Sequence, residues 1–346
     1  MHANRRPRIS LKRLVTIVAL GLSFCVAVGS VYNLLANRYL QHLYPAPGKL
    51  YAVHGYRMHL YCTGAGTPTI VFDSGLGDNW LVWQKVQPEL SKLTRVCSYD
   101  RAGLGWSDPQ PGPRGALTIS EQLHALLQEA GVTGPLLLVG HSAGGLYVRA
   151  FAAKYPAEVI GLALVDTSSP EAFHAFPNRK ERDSLRNARH RKAMWLWLKD
   201  ITGLQRLSGD CNGTTPKGLE TYAALARTAA CRPAFVNSWL AEWDDFESSA
   251  EDVGNLPCCG NMPTLVISRD PHLGGADSAA KSAATWDSVQ EDLKSLSTRS
   301  RRIIARKSGH YVMIDRPDVV TSNVRRLILE VRSELQHSEY GSTVVQ

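Results

Sequence analysis

The chain has 346 residues, of which 44% are hydrophobic, which is enough to build a sizeable core and argues against a disordered protein. Its formal net charge is +8, but six cations lie in the first 38 residues and the remainder carries only about +2. This distribution argues against nucleic acid as a partner. The six cations are Arg5, Arg6, Arg8, Lys12, Arg13 and Arg38.

The first element is an uncharged apolar stretch from Leu14 to Leu35. As a helix that rises about 1.5 Å per residue, it is long enough to cross a bilayer. Cations before an apolar segment favour the cytoplasm, so we predict a basic stub and membrane anchor over residues 1–43, with the rest of the chain on the extracytoplasmic side. A cleaved secretory peptide is the alternative, since Val28-Gly-Ser30 is a weak cleavage site.

Six cysteines follow this segment: Cys62, Cys97, Cys211, Cys231, Cys258 and Cys259. An even number of cysteines in an oxidising compartment predicts disulfides. The adjacent pair Cys258-Cys259 has no companions at metal-ligand spacing, so no metal site is predicted.

Short apolar runs then alternate with helical patterns. A hairpin is predicted around His54-Gly55, and six β-branched runs follow it. Helical patterns cover Ser120–Ala130, Gly144–Tyr155 and Pro317–Leu335, so we predict an α/β fold with a mostly parallel sheet covered by helices on both faces. The six runs end at Asp73, Asp100, Gly140, Asp166, Ser268 and Ala305.

The alternation stops between Pro170 and Pro257, where the sequence is helical, charged and rich in tryptophan. We predict a helical cap at 170–257, inserted between a first core part at 44–169 and a second at 258–346, whose tail from His337 is polar and frayed. Seven cations between residues 179 and 192 precede the sequence MWLWL. They suit an anionic membrane or amphipathic substrate, or equally a solvated helix face followed by a core contact.

Ser142 lies in the sequence Gly140-His141-Ser142-Ala143-Gly144, between a predicted buried strand and a predicted helix. A sharp strand-to-helix turn at this place lifts the serine hydroxyl above the sheet. Flanking glycines avoid side-chain collisions in such a turn, and the start of the helix offers free N–H groups to a developing oxyanion. We therefore predict Ser142 as a nucleophile.

A serine nucleophile needs a base that accepts its proton. His310 follows the last apolar run, has a glycine before it and precedes the final helix. It is the candidate base among the eleven histidines.

Together these segments resemble the α/β-hydrolase family. The resemblance runs from about Lys49 to Leu335 outside the cap, through VFDSGLGDNW, RVCSYDRAGLGWSD, GHSAGG, ALVDTSSP and SGHYVMIDRPDVV. It implies an α/β-hydrolase fold and an oxyanion hole formed by the backbone N–H groups of Leu76 and Ala143. The family usually has His-Gly where this chain has Ser74-Gly75, which leaves a backbone donor in place.

The resemblance also implies a Cys62–Cys97 disulfide, with Cys211–Cys231 as a second pairing. It gives a structural role to Asp100 and Arg101, which would tie loops together near the site. For the triad acid the family usually uses the loop after the strand ending at Ser268, where Asp270 lies, about two positions early. Asp270 is preferred, Asp166 is the alternative that some members use, and Asp277 is third.

A serine, a histidine and two N–H donors suit acyl transfer through an acyl-enzyme. The leading hypothesis is therefore a cofactor-free carboxylester hydrolase acting on a small, apolar acyl substrate. Acyltransferase, peptidase and carbon–carbon bond hydrolase activities use the same groups and stay open. A catalytically silent, membrane-anchored binding module is the alternative of another class, and the sequence does not indicate an oligomeric state.

Overall fold

The computed structural model describes residues 10–170, 179–209, 215–232, 234–257, 259–273 and 277–343. Its centre is an eight-stranded sheet in the order β1-β2-β4-β3-β5-β6-β7-β8. Pairings of β1 with β2 and of β2 with β4 are antiparallel, and all others are parallel, which confirms the predicted fold class. The strands are β1 Lys49–Val53, β2 Tyr56–Thr63, β3 Thr69–Asp73, β4 Val96–Tyr99, β5 Leu136–His141, β6 Val159–Val165, β7 Thr264–Ser268 and β8 Ser300–Ile304.

Helices cover both faces of this sheet. Ile70 and Phe72 of β3 point to one face and pack with the last long helix, while Val71 points to the other and packs with the helices that flank β5. This explains why the strand sequences are continuously apolar. The helices are α1 Leu11–Leu43, α2 Gln87–Leu90, α3 Ala116–Glu129, α4 Gly144–Lys154, α5 Arg179–Ile201, α6 Leu204–Leu207, α7 Ala223–Ala230, α8 Ala234–Asp244, α9 Phe246–Gly254, α10 Asp277–Asp292, α11 Val312–Asp315 and α12 Pro317–Thr343; short 3-10 turns lie at Trp80–Trp83, Glu220–Tyr222, Pro271–Leu273 and Leu293–Leu296.

Two features of the first strands match the sequence. His54 and Gly55 have φ values of 49° and 85°, as a tight hairpin turn with two left-handed residues requires. Cys62 and Cys97 face each other across β2 and β4 and form the predicted disulfide. Cys231 and Cys259 each take part in a disulfide as well. Because Cys211 lies outside the described residues, the second pairing stays a prediction.

Helices α5 to α9 occupy the stretch between β6 and β7, and the described residues there contain no strand. We call residues 170–257 the cap. The C-terminal end of the chain differs from the prediction, because α12 continues to Thr343 and does not fray from His337. No proline or glycine follows Leu335 until Gly341, so nothing in this stretch ends the helix.

The N-terminal apolar segment lies within α1, which has 33 residues. Among the described residues, α1 is the helix that is long and apolar enough to cross a membrane. Its first part stands free of the protein, and its last part contacts the cap.

Candidate active site

Ser142 lies in a sharp turn between β5 and α4. Its φ is 52°, in the left-handed region that residues with a Cβ rarely adopt. The Ser142 N–H donates to the carbonyl oxygen of Val165 at 3.2 Å, so the turn is tied to the end of β6. A strained backbone of this kind is frequent at functional sites and turns the hydroxyl away from the sheet.

The glycines around Ser142 are needed for this turn. A Cβ on Gly140 would lie 2.6 Å from the carbonyl oxygen of Gly144, and one on Gly144 would lie 2.5 Å from that of Asp73. These are backbone atoms that cannot move aside. The steric argument made from the sequence therefore holds in the structure.

His310 lies in the loop between β8 and α11, and its imidazole reaches Ser142. Its Nε2 is 3.0 Å from the Ser142 Oγ, which is hydrogen-bonding distance. The ring of Trp286 meets the imidazole edge-on, with centroids 5.8 Å apart, and the His310 side chain remains 33% exposed. The base is thus held in place on one side and open to a substrate on the other.

Asp166, directly after β6, contacts the other nitrogen of this imidazole. Its Oδ2 lies 2.6 Å from His310 Nδ1. Its Oδ1 accepts hydrogen bonds from the Arg269 N–H at 3.0 Å and from the Trp286 indole N–H at 2.9 Å. Burial alone would raise the pKa of Asp166, but the hydrogen bond and charge of His310, with these two donors, lower it overall. The carboxylate therefore stays ionised beside the imidazole.

Asp270, the preferred acid from the sequence, is not placed beside His310. Its Oδ2 accepts the Lys307 N–H at 2.9 Å, and its Oδ1 accepts the His272 N–H at 3.0 Å. Asp270 thus secures the start of the loop that carries His310 and does not contact the imidazole, which is a correction of that preference. The Asp270 side chain binds backbone N–H groups of the loops because Asp270 follows β7 by two residues. Asp166, in contrast, follows the neighbouring strand β6 directly. Asp277 begins α10, and its side chain lies outside the described residues.

The predicted oxyanion donors belong to two segments that meet at Ser142. Ala143 precedes α4, and Leu76 lies in the loop after β3. Within the described residues, the backbone N–H groups of Leu76 and Ala143 donate to no protein acceptor. Free N–H groups at this position are what an oxyanion would require, and their catalytic use remains a prediction.

A cap residue that the sequence analysis missed holds the loop of Leu76. Glu242 of α8 accepts the Gly77 N–H at 2.8 Å and pairs with the Arg101 guanidinium at 2.7 and 3.0 Å. Arg101 also donates to Asp73 at 2.7 Å and to the Gly75 carbonyl at 2.6 Å. The predicted structural role of Arg101 agrees with these contacts. No sequence signal marks Glu242, because a glutamate on a helix looks the same in the sequence whether its carboxylate is buried or solvated.

A cavity of about 270 Å³ lies beside this loop, between it and the cap. Asp78 lines this cavity, and its Oδ1 accepts a hydrogen bond from the Tyr311 hydroxyl at 3.3 Å. Burial raises the pKa of Asp78 to about 6, so this carboxyl is protonated more readily than an exposed one. The cavity borders the segments that bear Leu76 and His310, and a substrate could occupy it. Its lining includes Leu76, Asp78, Leu81, Phe235, Trp239 and Tyr311.

His141 lies beneath the triad and is fully buried. Burial, followed by the nearby His310, lowers the pKa of His141 to about 3, so its ring is neutral at physiological pH. Its Nε2 is 3.0 Å from the His310 carbonyl oxygen, which anchors the base's backbone. Among the described residues, no group of three or more histidine, cysteine, aspartate or glutamate side chains is arranged to hold a metal.

Solved structures of hydrolases share this fold. An esterase from Thermogutta terrifontis superposes with a TM-score of 0.59 at 21% identity, covering 82% of this chain and 98% of the esterase. The Cif epoxide hydrolase from Acinetobacter nosocomialis gives a TM-score of 0.65 at 14% identity, covering 86% of this chain and 96% of that enzyme. At such identities the likeness concerns the fold.

Curated relatives match over different lengths. Protein YqjL of Bacillus subtilis is 25% identical over 276 residues, 79% of this chain and 88% of YqjL. Protein C23C11.06c of Schizosaccharomyces pombe is 33% identical over 158 residues, 37% of this chain but only 30% of that protein. The vacuolar membrane protein YNL115C of Saccharomyces cerevisiae is 32% identical over 34% of this chain and 21% of its own length. The chain thus spans less than a third of the last two.

The decisive comparison is with a family model, because it covers most of the core. Residues 70–322 match the model described as the alpha/beta hydrolase family. That range contains β4 to β8, all but the first residue of β3, and every residue of the Ser142, His310 and Asp166 arrangement. The chain therefore belongs to the alpha/beta hydrolase family.

Proposed function

We propose that the protein is a membrane-anchored serine hydrolase that cleaves a carboxylic ester through an acyl-enzyme. The observation that carries this proposal is the continuous hydrogen-bonded path from Asp166 to His310 to Ser142, with atom separations of 2.6 and 3.0 Å. In this proposal Asp166 is the triad acid in place of Asp270. A buried carboxylate, an imidazole and a hydroxyl in this order form a nucleophile, its base and the group that orients the base.

The first half-reaction follows from the proton positions. Asp166 holds a proton on His310 Nδ1, which leaves Nε2 free to accept the proton of the Ser142 hydroxyl. The Oγ then attacks the ester carbonyl carbon, and the negative charge moves to the carbonyl oxygen. The N–H groups of Leu76 and Ala143 would stabilise that charge.

Collapse of the tetrahedral intermediate breaks the bond to the alcohol. His310 gives the proton it took from Ser142 to the departing alkoxide, and the acyl group remains on Oγ. A water molecule then gives its proton to His310 Nε2 and attacks the acyl carbon. The acid leaves, and Oγ regains its proton from His310.

The nucleophile favours acyl transfer over other chemistry in the family. Epoxide and halide displacements use a carboxylate that becomes esterified, and Ser142 occupies that place here. A serine alkoxide needs a carbonyl that can carry negative charge into an oxyanion hole. We therefore favour an ester over an epoxide, although an epoxide hydrolase shares the fold.

Membrane anchorage is proposed on α1 and its flanks. This helix is apolar over more than the thickness of a bilayer core, and cations precede it in the sequence. By the positive-inside rule these cations stay in the cytoplasm and the hydrolase core lies on the other side. The yeast relative described as a vacuolar membrane protein is consistent with a membrane location.

Labelling with a fluorophosphonate tests the nucleophile directly. The reagent phosphonylates a serine only if a base activates it, so we expect the wild-type chain to label and Ser142→Ala to remain unlabelled. Ser322→Ala, at an exposed serine on α12, is the matched control and should label like wild type. An unreactive but folded wild-type protein would favour a silent binding module instead. Graded p-nitrophenyl esters then define the acyl length.

A further inference from the structure

The N-terminal part of α1 stands free of the protein and is apolar on all sides. From Leu14 to Val28, after the cations Lys12 and Arg13, its large side chains are exposed, and at about 1.5 Å per residue this part measures about 22 Å. The hydrocarbon core of a bilayer is about 30 Å thick. The free part of α1 therefore accounts for about three quarters of the bilayer core, and the residues from Gly29 onward begin in its outer part and continue to the membrane surface.

At that level α1 docks on the cap through polar groups. A Cβ on Gly29 would lie 2.0 Å from the Thr202 carbonyl oxygen, so the backbones of the two segments touch. The Ser30 hydroxyl donates to the Ile201 carbonyl at 2.5 Å, and the Asn33 amide donates to the Asp200 carbonyl at 2.7 Å. The end of α5 is thus held against the point where α1 leaves the bilayer core.

A second set of contacts fixes the orientation of this junction. The Arg206 guanidinium donates to the Asn33 side chain at 2.7 Å and also to Asn37. Residues 33 and 37 are one turn apart and lie on the same helix face. Two asparagines and one arginine therefore clamp α6 to α1, and the cap lies at a defined depth relative to the anchor.

Beside this junction the cap exposes large apolar side chains. Trp195 is 59% exposed and Trp197 is 41% exposed, about two turns or less before the contact with Gly29. Leu204 and Leu207 of α6 are exposed on the other side of it. Exposed tryptophan next to a membrane helix is typical of the interface, where the indole ring has one apolar and one polar side. The cap apolar face consists of Met194, Trp195, Trp197, Leu198, Leu204 and Leu207.

The surroundings of this face complement a lipid surface. Tyr32 and Tyr39 of α1, about 10 Å apart along the helix, are exposed beyond Gly29, as in an aromatic belt. A cavity of about 530 Å³ lies between these tyrosines and the cap, with Arg206 and Arg227 among its lining residues. A lining that combines apolar side chains with two arginines suits the chains and the phosphate of a phospholipid.

We propose that the cap apolar face is immersed in the outer leaflet of the membrane that α1 crosses, with phospholipid as its partner. This inference rests on the proposed membrane anchorage and is independent of the proposed ester hydrolysis. The alternative interpretation of the MWLWL sequence is a contact with the core after a solvated cationic helix face. It requires these side chains to be buried, but Trp195 and Trp197 are exposed. Immersion of the cap apolar face would keep the cap at the membrane surface, from which an amphiphilic ester substrate would enter.

Tryptophan fluorescence tests the inference, because all eight tryptophans lie outside α1 and only Trp195 and Trp197 are largely exposed. The full chain is reconstituted in phosphatidylcholine and phosphatidylglycerol vesicles, with or without bromine on the acyl chains. We expect brominated lipid to quench part of the fluorescence. In Trp195→Phe/Trp197→Phe the quenched component should fall to less than about half. Trp243→Phe, at a half-buried cap tryptophan packed against Phe246, should keep it.

The possible results distinguish the proposed membrane anchor from the proposed immersion of the cap apolar face. Protein that floats with the vesicles, yet shows the same quenched component in the double variant, would overturn the immersed face and leave the anchor intact. Protein that does not float with the vesicles would overturn both. Thermal unfolding of each variant checks that the fold is retained, and we expect the melting temperature of the double variant to be close to that of wild type because its substituted side chains are exposed.

Discussion

Two aspartates follow neighbouring strands at the same edge of the sheet, and they have different tasks. Asp166 follows β6 directly, and its side chain is 0% exposed, in contact with the His310 ring. Asp270 follows β7 by two residues, is 11% exposed and binds the backbone before His310. A carboxylate at the edge of a sheet is thus not enough for a triad. One oxygen of the carboxylate has to contact the imidazole while the other accepts hydrogen bonds from neighbouring donors that hold the side chain in place.

The donors around each carboxylate explain the difference. Asp166 has one oxygen for the Arg269 N–H and the Trp286 indole, so its other oxygen is aimed at His310. Asp270 uses both oxygens on the N–H groups of Lys307 and His272. The first arrangement can stabilise an imidazolium, whereas the second can only hold a loop.

Replacement of each carboxylate by an amide gives the largest contrast. Asp166→Asn should lower kcat by about 10⁴-fold, because the amide no longer fixes the tautomer or stabilises the charged ring. Asp270→Asn should lower kcat by less than about tenfold, since it disturbs only the position of the loop. Steady-state kinetics on a p-nitrophenyl ester measures both. A greater loss in Asp270→Asn than in Asp166→Asn would reverse the proposed roles.

Trp286 gives a smaller test of the same comparison. Trp286→Phe keeps an aromatic ring against His310 but removes one of the donors to Asp166. A hydrogen bond to a charged group contributes about 1.5 to 3 kcal/mol, so the expected decrease in kcat is about ten- to a hundredfold. The KM should change little, because Trp286 orients the acid and does not line the cavity beside Leu76. An unchanged kcat would show that the Arg269 N–H alone keeps Asp166 oriented.

The sequence predicted what depends on local pattern. Apolar runs located all six core strands, and glycine spacing located the turn of Ser142. The hairpin and the disulfide between Cys62 and Cys97 also agree. These features are readable because burial on both faces of a sheet and steric crowding in a turn restrict the residues themselves.

The choice between Asp166 and Asp270 could not be read in this way. Both follow a β-branched run closely, and which one contacts His310 depends on how the loop after β8 passes over the edge of the sheet. Glu242 and the clamp of Asn33 on Asp200 were missed for the same reason, since each contact joins segments more than a hundred residues apart. One signal was present: Ser30, Asn33 and Asn37 place polar groups on one face of an otherwise apolar helix.

The smallest expected effect is on the stability of the fold in acid, and here the two aspartates are expected to behave alike. The hydrogen bond with the Lys307 N–H and then that with His272 lower the pKa of Asp270, and the pKa of Asp166 is lowered as well. An aspartate whose folded pKa lies below its unfolded value of about 3.9 stabilises the protein above that pH. This contribution is lost as the pH falls through the folded pKa.

The contribution of these two aspartates to the melting temperature should therefore be lost mainly below about pH 4, and each aspartate-to-asparagine variant should lose less than wild type between about pH 5 and pH 2. Ser142→Ala is the control, because it is inactive yet keeps the pair of Asp166 and His310. It should retain the full acid dependence of wild type. The two asparagine variants would then show a similar change in acid stability but very different kcat values. This combination is expected if one aspartate is catalytic and the other holds a loop. An Asp166→Asn variant with the acid dependence of wild type would mean that Asp166 is not held as an ionised partner of His310.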